Sequence, residues 1–282
     1  MIPAAFDYLA PTTVDEALAA LAAGGDDAKV MGGGQSLLPI LRMRHNAPDT
    51  LVDLGRIEAL RGIRDAGDHL VIGAMTPYSD LLESDLVHEH AALLAKAVAE
   101  VADPQIRHRG TIGGALVHAD PAGDVGAPVL ALDAELVIVG AGGERTVPAG
   151  EFFQDLFETS VAEGELLTEV RIPKHTGWRS HYEKFVRVSH QWSIVGVAVA
   201  LKADGGTISE ARIGLTNMGS TPLRAQGVEQ ALVGRSAADL GDVCAQVADG
   251  TNPPSDLNGD ADYRRHLARV LTRRAVLTAL GG

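Results

Sequence analysis

The feature that most constrains this chain is a run of three glycines, Gly32 to Gly34, between two apolar segments. Lys29-Val30-Met31 precedes the run, and Gln35 and Ser36 follow it. Glycine reaches positive φ at little cost and has no Cβ to keep a ligand away from the backbone. Such a loop can turn several N–H groups towards one point and form a concave anion site. The alternative is a tight strand-to-helix turn, which a glycine triplet by itself favours.

A second glycine-rich stretch with the same character lies well downstream. It reads Arg109-Gly110-Thr111-Ile112-Gly113-Gly114 and is followed by Asp120-Pro121-Ala122-Gly123-Asp124. Two separated glycine loops, each with a hydroxyl, are what a diphosphate needs if it is bound from both sides, and Asp124 can then accept hydrogen bonds from a ribose. Neither loop contains the Gly-Lys-Ser/Thr of a Walker A motif, and neither reads G-x-G-x-x-G.

Together these motifs resemble those of the flavin-binding medium subunit of molybdenum hydroxylases, the superfamily of xanthine dehydrogenase and aerobic carbon monoxide dehydrogenase. The resemblance rests on residues 33–39, 111–114 and 120–124, in this order, and extends over the whole chain. The Gly-Gln-Ser-Leu-Leu-Pro form of the first motif is most similar to the carbon monoxide dehydrogenase branch. The resemblance implies an α+β fold: a two-part FAD-binding domain of the vanillyl-alcohol-oxidase and molybdenum-hydroxylase type, then a C-terminal antiparallel sheet with helices.

The boundary between the two domains is expected where Pro173 and Gly177 bracket a polar stretch. We therefore predict an FAD-binding domain over residues 1–176, with subdomains of about 1–56 and 57–176, and a C-terminal domain over residues 177–282. The chain is long enough to bury a core in each of these units.

The resemblance also implies which residues bind FAD. The main-chain donors of the two loops are expected to bind it, together with an aspartate near the sugar, two apolar residues that line the cofactor, and two residues close to the flavin ring. The loop residues are Lys29, Val30, Met31, Gly32, Gly33, Gly34, Gln35, Ser36, Thr111, Ile112, Gly113, Gly114 and Ala115. The aspartate is Asp124, the two apolar lining residues are Val101 and Leu166, and the two residues close to the ring are Lys184 and Trp192. Ala115 departs from the family pattern, which commonly has asparagine there.

Lys184 and Trp192 each have an ordinary interpretation beside the functional one. A lysine near the ring would favour the anionic reduced flavin, whereas a strand lysine without the resemblance would be expected to be solvated. Trp192 is expected near the ring or, alternatively, in ordinary core packing. His108, His118 and Asp120 match no standard ligand spacing, so no metal site is predicted.

Composition limits the partners and the chemistry. The formal net charge of -13 argues against non-specific nucleic-acid or anionic-membrane binding. No apolar run reaches the ~20 residues of a membrane span, and residues 1–7 lack the pattern of a signal peptide. With Cys244 as its single cysteine, the chain can form no intrachain disulfide and cannot hold an iron–sulfur cluster, which typically takes about four thiolates.

Local signals predict the main elements. Thr13 and Glu16 form a capping box before a helix that Gly24-Gly25 ends, and residues 28–31 form the strand that leads into the first loop. Further helices are predicted over residues 78–86, 225–233 and 237–248 and after Asp260. Strands are predicted over residues 51–54, 70–74, 135–139, 145–147, 166–173, 181–188, 193–202 and 208–215, with the chain turning to strands from Pro128.

The resemblance predicts a function in electron transfer. A large molybdenum subunit would oxidise the substrate, a small subunit would carry two [2Fe–2S] clusters, and FAD on this chain would pass electrons to an external acceptor: a quinone, NAD or oxygen. The assembly is expected to be a cytoplasmic dimer of heterotrimers, either free or peripheral at the inner membrane face. The alternatives are a medium subunit of a xanthine, N-heterocycle or aldehyde dehydrogenase, a stand-alone FAD oxidase, and a non-enzymatic nucleotide-binding or assembly protein. No nucleophile–base arrangement is apparent.

Overall fold

The computed structural model describes residues 2–281 and begins with a three-stranded parallel sheet of order β1-β3-β2. Two helices connect its strands, because parallel neighbours need a crossover. Thr13 caps the first helix by accepting from the Glu16 N–H, and the Glu16 carboxylate accepts from the Thr12 N–H at 2.8 Å. The elements in chain order are β1 (Asp7–Leu9), α1 (Val14–Gly24), β2 (Ala28–Met31), α2 (Leu37–Met43) and β3 (Thr50–Asp53).

A five-stranded antiparallel sheet of order β4-β5-β10-β6-β7 follows. Its strands are β4 (Ile63–Asp65), β5 (His69–Gly73), β6 (Glu135–Gly140), β7 (Gly143–Pro148) and β10 (Leu166–Pro173); a separate hairpin consists of β8 (Phe153–Asp155) and β9 (Glu158–Thr159). The helices of this part of the chain are α3 (Tyr78–Glu83), α4 (Asp85–His90), α5 (Ala92–Ala99), α6 (Pro104–Arg107), α7 (Ile112–His118), α8 (Gly126–Ala131) and α9 (Ala149–Phe152).

The last part of the chain forms a four-stranded antiparallel sheet of order β11-β12-β13-β14 with helices against it. Its elements are β11 (Arg179–Phe185), β12 (Val195–Asp204), β13 (Thr207–Thr216), β14 (Leu223–Arg224), α10 (Gln226–Leu232), α11 (Gly241–Ala245) and α12 (Ala261–Leu280). Asp260 caps α12 by accepting from the Tyr263 N–H at 2.7 Å. Within residues 2–281, none of the helices combines the length and the apolar composition of a membrane-spanning segment.

The two faces of β12 belong to different cores. Val197, Val199 and Leu201 pack with α12 in the core of the last sheet, whereas Ala198 and Ala200 pack in the core of the preceding sheet. This alternation follows from the two-residue period of a strand. The small alanines let the last sheet lie close to the helices α5 and α8, and this sheet therefore forms a wall of the region described below.

Three predictions of local structure are wrong. The helix expected over residues 78–86 breaks at Ser84, whose hydroxyl accepts from Val87 N–H and so starts α4. The chain does not turn to strands at Pro128, because α8 runs through it and β6 begins at Glu135. The helix expected over 237–248 is interrupted: only Gly241–Ala245 is α-helical, between two 3₁₀ turns. In the first and third cases, capping or short-range turn geometry stopped a helix that apolar spacing alone would continue.

Candidate functional site

The two glycine loops lie side by side. The first follows the carboxyl end of β2 and leads into α2; the second leads into α7, and the Thr111 hydroxyl caps that helix by accepting from the Gly114 N–H at 3.1 Å. A Cβ placed on Gly32 would lie 3.3 Å from the Gly114 Cα. The sequence prediction that the two loops act as a pair is consistent with this contact.

Neighbouring backbone holds the second loop in place. The N–H groups of Ile112 and Gly113 donate to the carbonyls of Thr76 and Ala74, at 3.2 and 2.8 Å, and the Ala115 N–H donates to the Thr111 carbonyl at 3.1 Å. These main-chain donors are therefore already engaged. One group that this loop can offer a ligand is the Thr111 hydroxyl proton, since the hydroxyl oxygen already accepts from the Gly114 N–H.

The first loop differs in this respect. Within residues 2–281, the N–H groups of Gly33, Gly34, Gln35 and Ser36 donate to no hydrogen-bond partner. Gly34 is buried and has a φ of +77°, a conformation that glycine adopts readily. Unpaired N–H groups are uncommon in buried backbone, and among these four residues Gly34 is the buried one. An anion such as a diphosphate would satisfy several of them at once.

A cavity of about 930 Å³ opens beside the loops. Every residue predicted to bind FAD lines this cavity except Met31 and Ile112. These two side chains are buried in the cores behind the loops, Met31 with Leu41 and Leu51 and Ile112 among the core residues of the second sheet. The cavity is at the upper end of the size range of small-molecule and cofactor sites.

Several lining residues were not foreseen from the sequence. They come from elements that only the tertiary structure brings to the cavity, namely Leu54, Tyr78, His118, Phe153, Phe157, Glu165 and Gln191. Phe157 has a φ of +57° and its ring lies 5.2 Å from the His118 ring. No sequence motif marks these positions as cavity residues.

Asp124 is buried, with 6% of its surface exposed, and is fully engaged with the last sheet. Its Oδ1 accepts from the Tyr182 hydroxyl at 2.9 Å and the Ser193 hydroxyl at 2.8 Å, and its Oδ2 accepts from Lys184 Nζ at 2.7 Å. Burial raises the pKa of Asp124, while Lys184, Ser193 and Tyr182 act in the opposite direction. The carboxylate thus joins the two halves of the chain at the cavity, and contact with a ribose stays a prediction.

Lys184 and Trp192 are not in the environments of their ordinary interpretations. The Lys184 side chain is only 5% exposed, and its ammonium also donates to the Glu100 carbonyl at 2.9 Å, so it is not a solvated strand lysine. Trp192 is 57% exposed at the rim of the cavity, so it is not a core residue. Its proximity to a flavin ring stays a prediction.

The donor set and the cavity fit a dinucleotide flavin. A cluster of free N–H groups at one place suits a diphosphate, and apolar walls from Val101, Leu166 and Phe153 suit planar rings. Among the described residues, no group of three or more His, Cys, Asp or Glu side chains is arranged to hold a metal ion.

The fold and the cavity define the class of protein: the chain belongs to the family of FAD-binding subunits of molybdenum hydroxylases, which are oxidoreductases. Residues 4–175 match the FAD-binding domain of molybdopterin dehydrogenases, and residues 180–279 match the C-terminal domain of the carbon monoxide dehydrogenase flavoprotein. The expected α+β fold and the family resemblance are confirmed.

Individual relatives agree along the whole length. The carbon monoxide dehydrogenase medium chain of Hydrogenophaga pseudoflava is 42% identical, with 99% of this chain and 98% of the relative covered. The glyceraldehyde dehydrogenase medium chain of Sulfolobus acidocaldarius is 35% identical, with 98% of each covered. The solved carbon monoxide dehydrogenase of Hydrogenophaga pseudoflava matches with a TM-score of 0.95 at 43% identity, covering 100% of this chain and 99% of that one.

Proposed function

We propose that this chain is the FAD-carrying medium subunit of an aerobic carbon monoxide dehydrogenase-type enzyme. It would take electrons from [2Fe–2S] clusters on a small partner subunit and pass them to an external acceptor, after a large molybdenum subunit has oxidised CO with water to CO₂. The observation that carries the proposal is the row of free N–H groups at residues 33–36 beside the Thr111 loop and the cavity. The 42% identity to a carbon monoxide dehydrogenase medium chain supports the choice of branch.

The residues of this chain have distinct parts in the proposal. The N–H groups of Gly33 to Ser36 and the Thr111 hydroxyl would hold the diphosphate, and Val101 and Leu166 would contact the rings. Bound FAD supplies electron transfer in steps of one or two electrons. The cavity walls would hold the cofactor in place next to the partner subunits. No side chain need act as a nucleophile.

The proposed function requires partner subunits, because this chain cannot hold the iron–sulfur clusters itself. One cysteine cannot ligate a cluster that typically needs about four thiolates. The clusters and the molybdenum cofactor would therefore belong to the small and large subunits of a dimer of heterotrimers. We place that assembly in the cytoplasm, with peripheral contact at the inner membrane face as the arrangement that would suit a quinone acceptor. We divide the chain functionally into residues 1–176 and 177–282.

A second candidate is a medium subunit of an aldehyde, purine or N-heterocycle dehydrogenase. It is favoured by relatives named for other reactions, including the glyceraldehyde dehydrogenase medium chain and a caffeine dehydrogenase subunit at 35% identity each. Quinoline 2-oxidoreductase from Pseudomonas putida 86 also matches over 100% of this chain with a TM-score of 0.94. The stand-alone oxidase and the non-enzymatic alternatives gain no support from these relatives.

The proposal is tested by expressing the chain with its neighbouring subunits and analysing the purified complex. We expect one FAD per chain, released by heat or acid, and bleaching of the flavin absorbance when CO is added under anaerobic conditions. Bleaching by an aldehyde or N-heterocycle instead of CO would select the second candidate. A complex without flavin, or with FMN, which has one phosphate, would refute the diphosphate assignment of the glycine loops.

A further inference from the structure

The loop of residues 186–192 between β11 and β12 contributes one wall of the cavity. His190, Gln191 and Trp192 line the cavity, whereas Val188 is 54% exposed. The Ile194 N–H donates to the Phe185 carbonyl at 2.9 Å and closes the base of the loop. The position of Trp192 at the rim therefore depends on what fixes the two ends of this loop.

Asp124 holds both ends. Lys184, just before the loop, reaches one carboxylate oxygen, and Ser193, just after it, reaches the other. Ser193 is 1% exposed, so its hydrogen bond is shielded from water. Breaking a buried hydrogen bond leaves a donor or acceptor unpaired, which costs more than the bond itself contributes.

Asn217 makes two further hydrogen bonds near the carboxyl end of this loop. It lies directly after β13, is 8% exposed, and has a φ of +61°, a left-handed conformation that asparagine tolerates better than most residues. Its backbone N–H donates to the Pro121 carbonyl and its side-chain amide donates to the Ser193 carbonyl, both at 2.8 Å. One residue thus bridges the segment that carries Asp124 and the end of the loop that carries Trp192.

We propose that Asn217 is a positioning residue for the flavin site. Through Ser193, it fixes the carboxyl end of the 186–192 loop so that Trp192 covers the rim of the cavity and the cofactor is retained. Asn217 does not line the FAD cavity itself; its action runs through the Ser193 carbonyl and the Asp124 segment. The effect on FAD retention rests on the proposed function, whereas the effect of Asn217 on the position of the 186–192 loop concerns this chain alone.

The experiment uses the full chain with Trp178→Phe, which leaves Trp192 as the single tryptophan. Asn217→Gly keeps the left-handed backbone accessible and removes the side chain with its amide. Arg44→Gly is the matched control, because Arg44 has a φ of +59° and an exposed side chain away from the loop. Ser193→Ala tests the neighbouring bond to Asp124. Acrylamide quenching of Trp192 without FAD, FAD affinity and the unfolding temperature are measured for each variant.

We expect Asn217→Gly to raise the quenching constant of Trp192 and to raise the Kd for FAD about three- to tenfold, the effect of losing about one buried hydrogen bond. Ser193→Ala should act in the same direction, and Arg44→Gly should change neither quantity. Unchanged quenching in Asn217→Gly, or an equal change in Arg44→Gly, would overturn the inference. Failure of the wild-type chain and its complex to bind FAD would refute the proposed function, whereas the quenching comparison would still decide the role of Asn217.

Discussion

Gly33 and Gly113 occupy positions where any side chain would collide with neighbouring backbone. A Cβ on Gly33 would lie 1.8 Å from the Arg109 carbonyl oxygen, and one on Gly113 would lie 2.6 Å from the Ala74 carbonyl oxygen. Real Cβ atoms do not approach other heavy atoms this closely. These two glycines therefore allow one backbone segment to pack against another. This packing role is separate from any role of the loops in binding a ligand.

Gly33→Ala should for this reason lower the free energy of unfolding together with FAD retention. We expect a loss of about 1–3 kcal/mol, the usual range for overpacking, measured by urea denaturation. Gly227→Ala is the control, since its Cβ would meet nothing within 4 Å and alanine favours the helix α10. Equal stability of Gly33→Ala and the wild type would show that the loop adjusts without cost.

Lys184 and Asp124 form a buried ion pair with side chains only 5% and 4% exposed. Lys184→Met leaves the Asp124 carboxylate without its cation, so we expect a loss of about 3–5 kcal/mol of stability. Lys184→Met combined with Asp124→Asn should recover part of that loss, which denaturant unfolding of the wild type and the two variants would measure. If Lys184→Met were as stable as the wild type, this would contradict the conclusion that Lys184 compensates the buried charge of Asp124. Because Asp124 offsets the ammonium, Lys184 should also affect a flavin potential less than an isolated lysine would.

At the level of elements, Arg145 on β7 binds the segment that leads into β10. Its Nε donates to Glu165 Oε1 at 3.1 Å, and its Nη2 donates to Glu165 Oε2 and to the Ser160 carbonyl at 2.5 Å each. The hydrogen bond from Arg145 lowers the pKa of Glu165, and burial opposes it. The pair thus fixes the start of the strand that carries Leu166 to the cavity.

Glu165→Gln should lower stability only where Glu165 is ionised. A carboxyl whose folded pKa is lowered contributes stability above its unfolded pKa, about 4.3, and loses it as the pH falls through the folded pKa. We expect a difference of up to about 1 kcal/mol at pH 7, because the pair is partly exposed, and convergence with the wild type in acid. The exposed Glu158→Gln serves as control. A difference that persists unchanged in acid would exclude the ion pair as its source.

At the level of the whole molecule, the two halves meet across small residues. Ala198 and Ala200 face the first half, and a Cβ on Gly214 would lie only 2.3 Å from the Ala127 carbonyl oxygen on α8. Asp133, just after α8, accepts from Arg224 at 2.6 Å and from Arg212 at 3.0 Å. The cavity lies along this junction, so its shape depends on how closely the halves approach.

Gly214→Ala should push β13 away from α8. We expect a loss of about 1–3 kcal/mol together with weaker FAD binding, measured by thermal unfolding and flavin titration. Gly241→Ala, where a Cβ would meet nothing within 4 Å, should change neither. Weakened folding with intact flavin affinity would show that the approach of β13 to α8 does not shape the cavity.

The sequence by itself determined the features that local chemistry specifies. The bounds of β2 and β10 agree with prediction, Thr13 and Asp260 cap α1 and α12, and the motifs of the two glycine loops identified the family. All but two of the residues predicted to bind FAD line one cavity, and most of them belong to the two glycine motifs or lie next to these in the sequence. Helix ends at Ser84 and around Gly241 were not predictable from apolar spacing, which continues through them.

Only the tertiary structure decided the environments of the charged and aromatic residues. The side-chain partners of Asp124 lie 58 to 69 residues further along the chain, and no local pattern encodes such a pairing. The burial of Lys184, the exposure of Trp192 and the tie made by Asn217 depend on how the last sheet packs on α8. The free donors of residues 33–36 likewise became visible only once every neighbouring carbonyl had been placed. Burial, pKa and hydrogen bonding are set by the groups that packing brings together, and sequence distance does not determine them.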